Sequence, residues 1–235
     1  MQKIPYRSFL PIYLLVILGF VMLAVGGSRA VTAWSESAPI TERKTVVIDA
    51  GHGGVDGGAT SCTGVLESQF NLEIATKLND LMHLLGMQTL MIRDTDCSVY
   101  TQGDTIAQKK VSDLRERVRI VNSIKDPLLV SIHQNHFSDS KYSGAQVFYS
   151  SVDGSRHLAS KLQENIKATL NSDSNRQIKK ADGIYLMQNI QCPGVLIECG
   201  FLSNPQEEYL LRSKAYQQKI CSVIACTVST WLWST

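Results

Sequence analysis

A short apolar strand that stops at a glycine-rich turn is the feature that most constrains this fold. Val46, Val47 and Ile48 are β-branched, and they are followed by Asp49 and a turn of many glycines that carries one histidine, His52. Such a run, bounded by glycines, is typical of a buried strand. Open α/β sheets hold ligands and catalytic groups at the carboxyl ends of their strands. His52 is therefore either an incidental turn residue or a metal ligand that needs partners. A phosphate-binding loop is disfavoured because the turn lacks a GKS or GKT ending and a GxGxxG frame.

The remainder of the chain alternates predicted strands with predicted helices. The predicted strands cover residues 44–49, 87–92, 128–133, 145–149, 183–187 and 194–198, and the predicted helices cover 66–85, 112–124, 156–170 and 214–235. Residues 94–110 are predicted to form a loop, and Ser112 is the expected cap of the helix that follows. Because helices that separate strands favour parallel pairing, we expect an α/β fold: a single domain with a mainly parallel or mixed twisted sheet flanked by helices.

The first 33 residues are predicted to export the rest of the chain. Lys3 and Arg7 precede an apolar run over residues 9–25, which is followed by small and polar residues. The run is longer than the usual signal-peptide core of about 7–15 residues and shorter than a spanning helix of about 20, so cleavage and membrane anchoring both stay open. Residues 34–43 are predicted to be a linker, which leaves 44–235 as the main domain.

Charge and cysteine content argue against a nucleic-acid-binding surface and against a structural zinc site. Three of the 23 basic residues lie in residues 1–33 and no acidic residue does, which leaves 20 bases against 21 acids in the rest of the chain. That balance gives no basic surface for nucleic acid. The six cysteines show no CxxC spacing, so no structural zinc site is expected. A domain of this size buries a sufficient core without an obligatory disulfide framework.

A second buried strand, 128–132, also ends in a histidine, His133. If the two strands run parallel, His52 and His133 emerge at the same edge of the sheet. Glu67, at the start of the first long helix, follows the glycine turn closely enough to bring a carboxylate beside them. Two imidazoles and one carboxylate leave a position open, as in catalytic rather than structural zinc sites.

Glu198 ends the predicted strand 194–198. A buried strand that delivers a carboxylate to its tip is costly unless the group has a partner or a chemical role. Its expected role is general base toward an attacking water molecule. Asp49 is expected either to fix the glycine turn or to accept a hydrogen bond from an imidazole.

Three other histidines and one glutamate are further polar residues near the predicted elements of the site. His136 stays an alternative metal ligand, although it lies beyond the end of its strand. His83 is expected at the edge of the core, and His157 and Glu73 are expected on the surface.

Four motifs in order resemble the zinc-dependent N-acetylmuramoyl-L-alanine amidases of the type-3 amidase family. They are VVIDAGHGGVDGGA, Glu67 with Asn71 four residues later, VSIHQNHF, and VLIECGFLSN, and the pattern runs from residue 44 to the C-terminus. The N-terminus, the lack of a wall-binding repeat and the closing motifs look most like the cortex-type, germination-specific amidases of endospore formers. The resemblance implies an amidase or zinc-exopeptidase-like fold that binds one Zn²⁺ through His52, Glu67 and His133, with Glu198 as the catalytic glutamate. Gln134 and His136 depart from the family pattern.

The resemblance also implies a substrate and a location. It implies a peptidoglycan hydrolase that cleaves the amide between N-acetylmuramic acid and L-alanine in spore cortex, as the step that leads to muramic δ-lactam. Three alternatives stay open: a general amidase of the vegetative wall, a non-catalytic wall-binding protein, and a zinc peptidase, although the chain lacks a HExxH helix. The expected partners are peptidoglycan and an accessory protein that completes or stabilises the zinc site. The expected location is the wall or cortex space, with the chain secreted or anchored to the membrane.

Overall fold

A six-stranded sheet forms the centre of the part of the chain that the computed structural model describes, residues 44–170 and 173–234. Its strands are β1 (Thr45–Ala50), β2 (Gln88–Met91), β3 (Pro127–Asn135), β4 (Gln146–Tyr149), β5 (Lys179–Lys180) and β6 (Gly194–Phe201). Their order across the sheet is β2-β1-β3-β6-β4-β5. The first four in that order are parallel to one another, and β4 runs antiparallel to β6. The predicted α/β fold with a mixed sheet is confirmed.

Helices cover both faces of this sheet. They are α1 (Glu67–Leu84), α2 (Ile106–Ser123), α3 (Ser155–Leu170), α4 (Tyr185–Asn189), α5 (Pro205–Arg212) and α6 (Lys214–Ser234). The first, third and last of these pack on one face around a core that includes Ile48 and Val130, while α2 and α4 pack on the other around Val47 and Leu129. Successive residues along β1, and likewise along β3, therefore point into opposite cores. This explains why both strands carry continuous apolar runs instead of alternating apolar with polar residues.

The helix before β3 begins earlier than predicted. Thr105 accepts a hydrogen bond from the Gln108 backbone N–H (3.2 Å), and the Gln108 side chain accepts one from the Thr105 N–H (3.1 Å). This reciprocal capping box starts α2 at Ile106, so part of the predicted loop 94–110 is helical. Ser112 was therefore the wrong cap. It lies inside the helix, where its hydroxyl accepts hydrogen bonds from the backbone of residues 101 and 102.

Two short helices differ from the predicted elements. Residues 183–187 were predicted to be a strand, but α4 occupies most of that stretch because Leu186, Met187 and Ile190 reach the core with helical spacing. The helix α5 was not predicted. It follows Asn204, whose side chain accepts hydrogen bonds from the backbone of residues 206 and 207, and it has proline at its first position.

The predicted export segment and linker, residues 1–33 and 34–43, lie outside the described residues, so those boundaries stay predictions. Across the described ranges, no helix combines the length and the apolar character needed to cross a bilayer. All six cysteines are free thiols.

Candidate metal centre

The turn after β1 brings His52 against the end of β3. The Gly51 N–H donates to the carbonyl of Ile132 (3.0 Å), and the next residue, His52, has a positive φ of 61°. This left-handed conformation is uncommon for residues other than glycine. A Cβ at Gly51 would overlap the imidazole of His133. Glycine is therefore required here by the close approach of the turn to the second histidine.

Two buried arginines hold the carbonyl groups of this turn. Arg117, from α2, donates to the carbonyls of Ala50 (3.0 Å) and His52 (2.7 Å). Arg93, which follows β2, donates to the carbonyls of Ala50 (2.8 Å) and Gly51 (3.0 Å). Each arginine is only 2 % exposed. Because buried carbonyls without donors are costly, these contacts stabilise the unusual backbone that presents His52.

Asp49 balances the charge of one of these arginines. Its carboxylate pairs with Arg117 and accepts a hydrogen bond from Ser131 Oγ (2.6 Å). Burial alone would raise the pKa of Asp49, but the Arg117 charge and these hydrogen bonds hold it below its ordinary value. The structure therefore supports the first expected role of Asp49, which is to fix the turn. It does not support the second, because no hydrogen bond joins Asp49 to a histidine ring in the described part of the chain.

Three predicted ligands meet at the carboxyl edge of the sheet. Glu67 Oε2 lies 3.2 Å from His52 Nε2, and Glu67 Oε1 lies 3.0 Å from His133 Nδ1. One donor atom from each residue falls within 4.8 Å of the others. Two imidazole nitrogens and one carboxylate oxygen suit a transition-metal ion such as Zn²⁺ and leave one tetrahedral position for water or substrate. The residues thus form a possible His-Glu-His metal site.

Glu67 is held in place from several directions. Its carboxylate accepts hydrogen bonds from the backbone N–H groups of Ala59 (3.0 Å) and Gln134 (3.2 Å) and from Asn71 Nδ2 (3.3 Å). Burial alone would raise the pKa of Glu67, but hydrogen bonds from His133 and His52 and their charges lower it. The Asn71 amide also donates to the Gly51 carbonyl (3.0 Å), so one side chain joins the carboxylate to the turn.

Asp56 is a candidate functional residue whose role the sequence left undefined. Its Oδ2 lies 2.9 Å from His52 Nδ1, and its Oδ1 lies 2.7 Å from Lys110 Nζ. A carboxylate on the second ring nitrogen fixes the tautomer and orientation of a metal-binding histidine. Burial alone would lower the pKa of His52, but the hydrogen bond and charge of Glu67, followed by those of Asp56, raise it to about 9. The signal in the sequence was an acidic residue four positions after the histidine.

Glu198 lies on the strand next to that of His133. The two residues are paired in the parallel register of β3 and β6, so their side chains project from the same face. Glu198 Oε2 is buried and has no hydrogen-bond partner among the described residues. Burial raises the pKa of this carboxyl to about 7, despite an opposing contribution from the His133 charge. A carboxyl group of that pKa can both accept and donate a proton near neutral pH.

These groups open into one cleft of about 300 Å³. The carboxyl of Glu198 and the imidazoles of His52 and His133 line one part of it. Other lining residues are Lys110, Leu114, Ile184 and Leu186. The cleft therefore gives a substrate access to the two candidate histidine ligands and to Glu198 together.

The alternative residues lie away from this cluster. His136 is exposed and does not join the three grouped metal ligands of the described chain. His83 and His157 are also exposed, and His83 instead contacts Thr89. Glu73 is exposed as expected, and it accepts a hydrogen bond from Gln217 (3.0 Å).

Comparison with known proteins identifies the relatives of this arrangement. The profile of one family, described as N-acetylmuramoyl-L-alanine amidase, matches residues 46–229. A germination-specific N-acetylmuramoyl-L-alanine amidase from Bacillus subtilis is 35% identical over 228 residues, which span 95% of this chain and 92% of that protein.

Two solved structures from Clostridioides difficile share the fold. The CwlD amidase, solved in complex with the GerS lipoprotein, superimposes with a TM-score of 0.77 and 38% identity, over 82% of this chain and 100% of that chain. An N-acetylmuramoyl-L-alanine amidase from strain 630 gives a TM-score of 0.73 and 30% identity, over 83% of this chain and 100% of that one.

Proposed function

This chain belongs to the N-acetylmuramoyl-L-alanine amidase family, and we propose that it hydrolyses its amide substrate with one Zn²⁺ held by His52, Glu67 and His133. We assign the role of catalytic glutamate to Glu198. The observation that carries the proposal is the position of Glu198, whose buried Oε2 has no hydrogen-bond partner in the described chain and which is paired in register with His133.

The bond to be cleaved joins the lactyl carbonyl of N-acetylmuramic acid to the nitrogen of L-alanine. Zn²⁺ at this site would polarise the amide carbonyl and lower the pKa of water toward neutrality. Glu198 accepts a proton from the attacking water and delivers it to the departing alanine nitrogen. The carbon–nitrogen bond breaks as a carbon–oxygen bond forms, so the products are a free lactyl carboxylate and a stem peptide with a free amino terminus.

The surrounding residues keep these groups in position during that exchange. Asp56 orients the His52 ring, and the backbone N–H groups that bind Glu67 fix its carboxylate. Burial raises the pKa of Glu198 to about 7, and a carboxyl with a pKa near neutrality can exchange a proton in either direction.

The biological setting we propose is the spore cortex. The Bacillus subtilis relative is named as germination-specific, and it matches this chain over nearly the full length of both proteins. In that setting, removal of the stem peptide is the step that precedes formation of muramic δ-lactam. The chain must be exported to reach a substrate in the cortex. The apolar segment at residues 9–25 is consistent with such export.

We also propose that an accessory protein outside the membrane supports this enzyme. The related CwlD amidase was solved in complex with a lipoprotein, GerS. A partner of that kind would act on an exported amidase, and zinc content measured with and without the partner tests whether it stabilises the metal site.

Product analysis tests the reaction and its setting. Zinc-loaded protein incubated with cortex peptidoglycan should release intact stem peptides that begin with L-alanine and leave muramic residues with free lactyl groups, as measured by mass spectrometry. Spores from a strain that lacks the protein should contain no muramic δ-lactam. Release of single amino acids would instead indicate a peptidase, and lactam that persists in the mutant spores would favour a vegetative-wall amidase.

A further inference from the structure

A second groove lies at β4, the strand that neighbours β6 on the side away from β1. It has a volume of about 520 Å³ and lies between the loop at Lys141–Ser143 and residues 173–179. Gln146, on β4, lines this groove and is the register partner of Glu198 across the antiparallel pair β4–β6. Directly paired residues project from the same face of a sheet. Gln146 therefore joins the groove to the row of side chains that contains the proposed catalytic carboxyl.

Arg176 is fixed in this groove by three contacts. Its Nε donates to the Ser143 carbonyl (2.7 Å), and its Nη1 donates to Gln146 Oε1 (3.0 Å). The guanidinium carbon lies 4.4 Å from the centre of the Phe201 ring. These contacts orient the guanidinium plane before any ligand arrives, which reduces the entropy lost on binding.

The Arg176 charge has no carboxylate partner among the described residues. The Glu207 charge acts on Arg176, but the two Glu207 oxygens already accept hydrogen bonds from the N–H groups of Gly144 (2.8 Å) and Phe201 (2.8 Å). The Nη2 group and one N–H of Nη1 make no hydrogen bond with the described part of the chain. Two adjacent N–H donors on a fixed guanidinium match the spacing of a carboxylate.

The remaining walls of the groove are basic and aromatic. Lys179 is exposed in it, Lys141 is paired with Asp139 (2.7 Å), and Asp173 is the acidic lining residue. Tyr142 stacks on Phe201, with ring centres 6.3 Å apart, and is 39 % exposed. The groove thus combines a positive charge with an apolar surface for the aliphatic part of a ligand.

We propose that this groove binds a free carboxylate of the stem peptide close to the scissile amide, and that Arg176 is the residue that recognises it. The proposal rests on the proposed function, because it takes peptidoglycan as the substrate. Glu198 and Gln146 are one strand spacing apart, about 4.8 Å, and an extended peptide advances about 3.3–3.6 Å per residue. A carboxylate on the second or third residue of the stem peptide therefore reaches Arg176. The N-acetylated sugars of the glycan are uncharged, so the charge of the groove favours the peptide.

A pair of ligands that differ by one charge tests this proposal. Binding of L-alanyl-D-glutamate and of its α-amide, L-alanyl-D-isoglutamine, both with the γ-carboxyl blocked as the methylamide, is measured by nuclear magnetic resonance titration of the zinc-loaded protein. The wild type should bind the acid about tenfold more tightly than the amide, as expected for a charge-assisted hydrogen bond. Arg176→Gln should reduce that preference to about twofold or less. Arg119→Gln, which removes an exposed guanidinium from α2, should keep the tenfold preference.

Kinetics on the corresponding muramoyl dipeptides give a second readout. For Arg176→Gln we expect a raised KM for the acid substrate with kcat little changed, and a small effect on the amide substrate. Arg176→Lys keeps the charge but lacks the planar pair of donors, so it should retain part of the preference for the acid over the amide. This variant also shows whether a loss of preference in Arg176→Gln results from a folding defect. Equal binding of acid and amide by the wild type, including absence of binding by both, would overturn the proposal. Preserved discrimination in a protein that cleaves neither substrate would instead contradict the amidase mechanism and leave the groove assignment standing.

Discussion

Replacement of Arg117 by methionine should destabilise the fold and loosen the turn that carries His52. The substitution keeps an unbranched side chain but removes the charge that Asp49 and Asp113 face, together with the donors to the carbonyls of Ala50 and His52. Arg117 and Asp49 are 2 % and 1 % exposed, so solvent does not screen their interaction. Loss of one partner from a buried ion pair costs about 3–5 kcal/mol. In a domain of this size, each kcal/mol corresponds to about 2–4 °C in Tm, so we expect a decrease of about 6–20 °C.

The pH dependence of this loss follows from the pKa of Asp49. In the wild type Arg117 lowers that pKa, so the pair contributes stability above the unfolded-state pKa of 3.8 and loses it as pH falls through the lower folded value. In Arg117→Met, Asp49 stays buried but has lost the arginine charge, so its pKa in the folded state rises above its value in the unfolded state. The folded variant therefore loses stability as pH rises. The difference in Tm between wild type and variant should therefore narrow as pH falls below about 4.

Thermal unfolding followed by circular dichroism in zinc-free buffer at neutral and acid pH measures both effects. Arg119→Met is the matched control, because Arg119 lies on the same helix and its pair with Glu116 is exposed. Its effect should stay within about 0.5 kcal/mol. A Tm decrease of less than about 2 °C for Arg117→Met at neutral pH, or a difference that stays constant with pH, would refute this explanation of how the turn is held.

Three further changes test the metal site itself. Gly51→Ala places a methyl group where the His133 ring lies, so zinc affinity measured by competition with a chromogenic chelator should fall at least about tenfold; unchanged affinity would show that the ring can move aside at no cost. Asp56→Ala should weaken zinc binding by about 10- to 100-fold, whereas Asp139→Ala, which removes an exposed carboxylate, should leave it unchanged; equal effects of the two variants would argue against a specific role for Asp56. Zinc at one hundred times its Kd should stabilise the wild type by about 2.7 kcal/mol in thermal unfolding, and a chelator should remove that increment; no increment would mean that the folded chain does not bind zinc at the three predicted ligands.

The main features of the fold and the candidate site could be predicted because each is encoded in a short stretch of chain. Two buried strands that end in histidine locate His52 and His133, since parallel strands meet at one edge of a sheet. Glu67 follows from its place at the start of the helix next to the turn, and Glu198 from the cost of an apolar strand that ends in a carboxylate.

The supporting residues could not be predicted because they act through tertiary contacts. Arg117 lies 65 positions from the His52 carbonyl that it binds, and no local pattern marks that pairing. The start of α2 was misplaced because its first turns lie on the surface, where Ile106 and Val111 are exposed and do not form the apolar period by which helices are recognised. The antiparallel register of β4, which the sequence does not specify, pairs Gln146 with Glu198, and Arg176 then contacts Gln146.

The most direct test of the central claim is the simultaneous measurement of zinc content and stem-peptide release for Glu198→Gln. The proposed metal ligands are His52, Glu67 and His133, and Glu198 transfers the proton, so the variant should keep one zinc ion per chain. Its rate of peptide release from peptidoglycan should fall by about 100- to 10,000-fold, while Glu164→Gln, an exposed change on α3, should leave both quantities unaltered. Release at the wild-type rate would contradict the role of Glu198, and loss of zinc from the variant would place this carboxylate among the ligands instead.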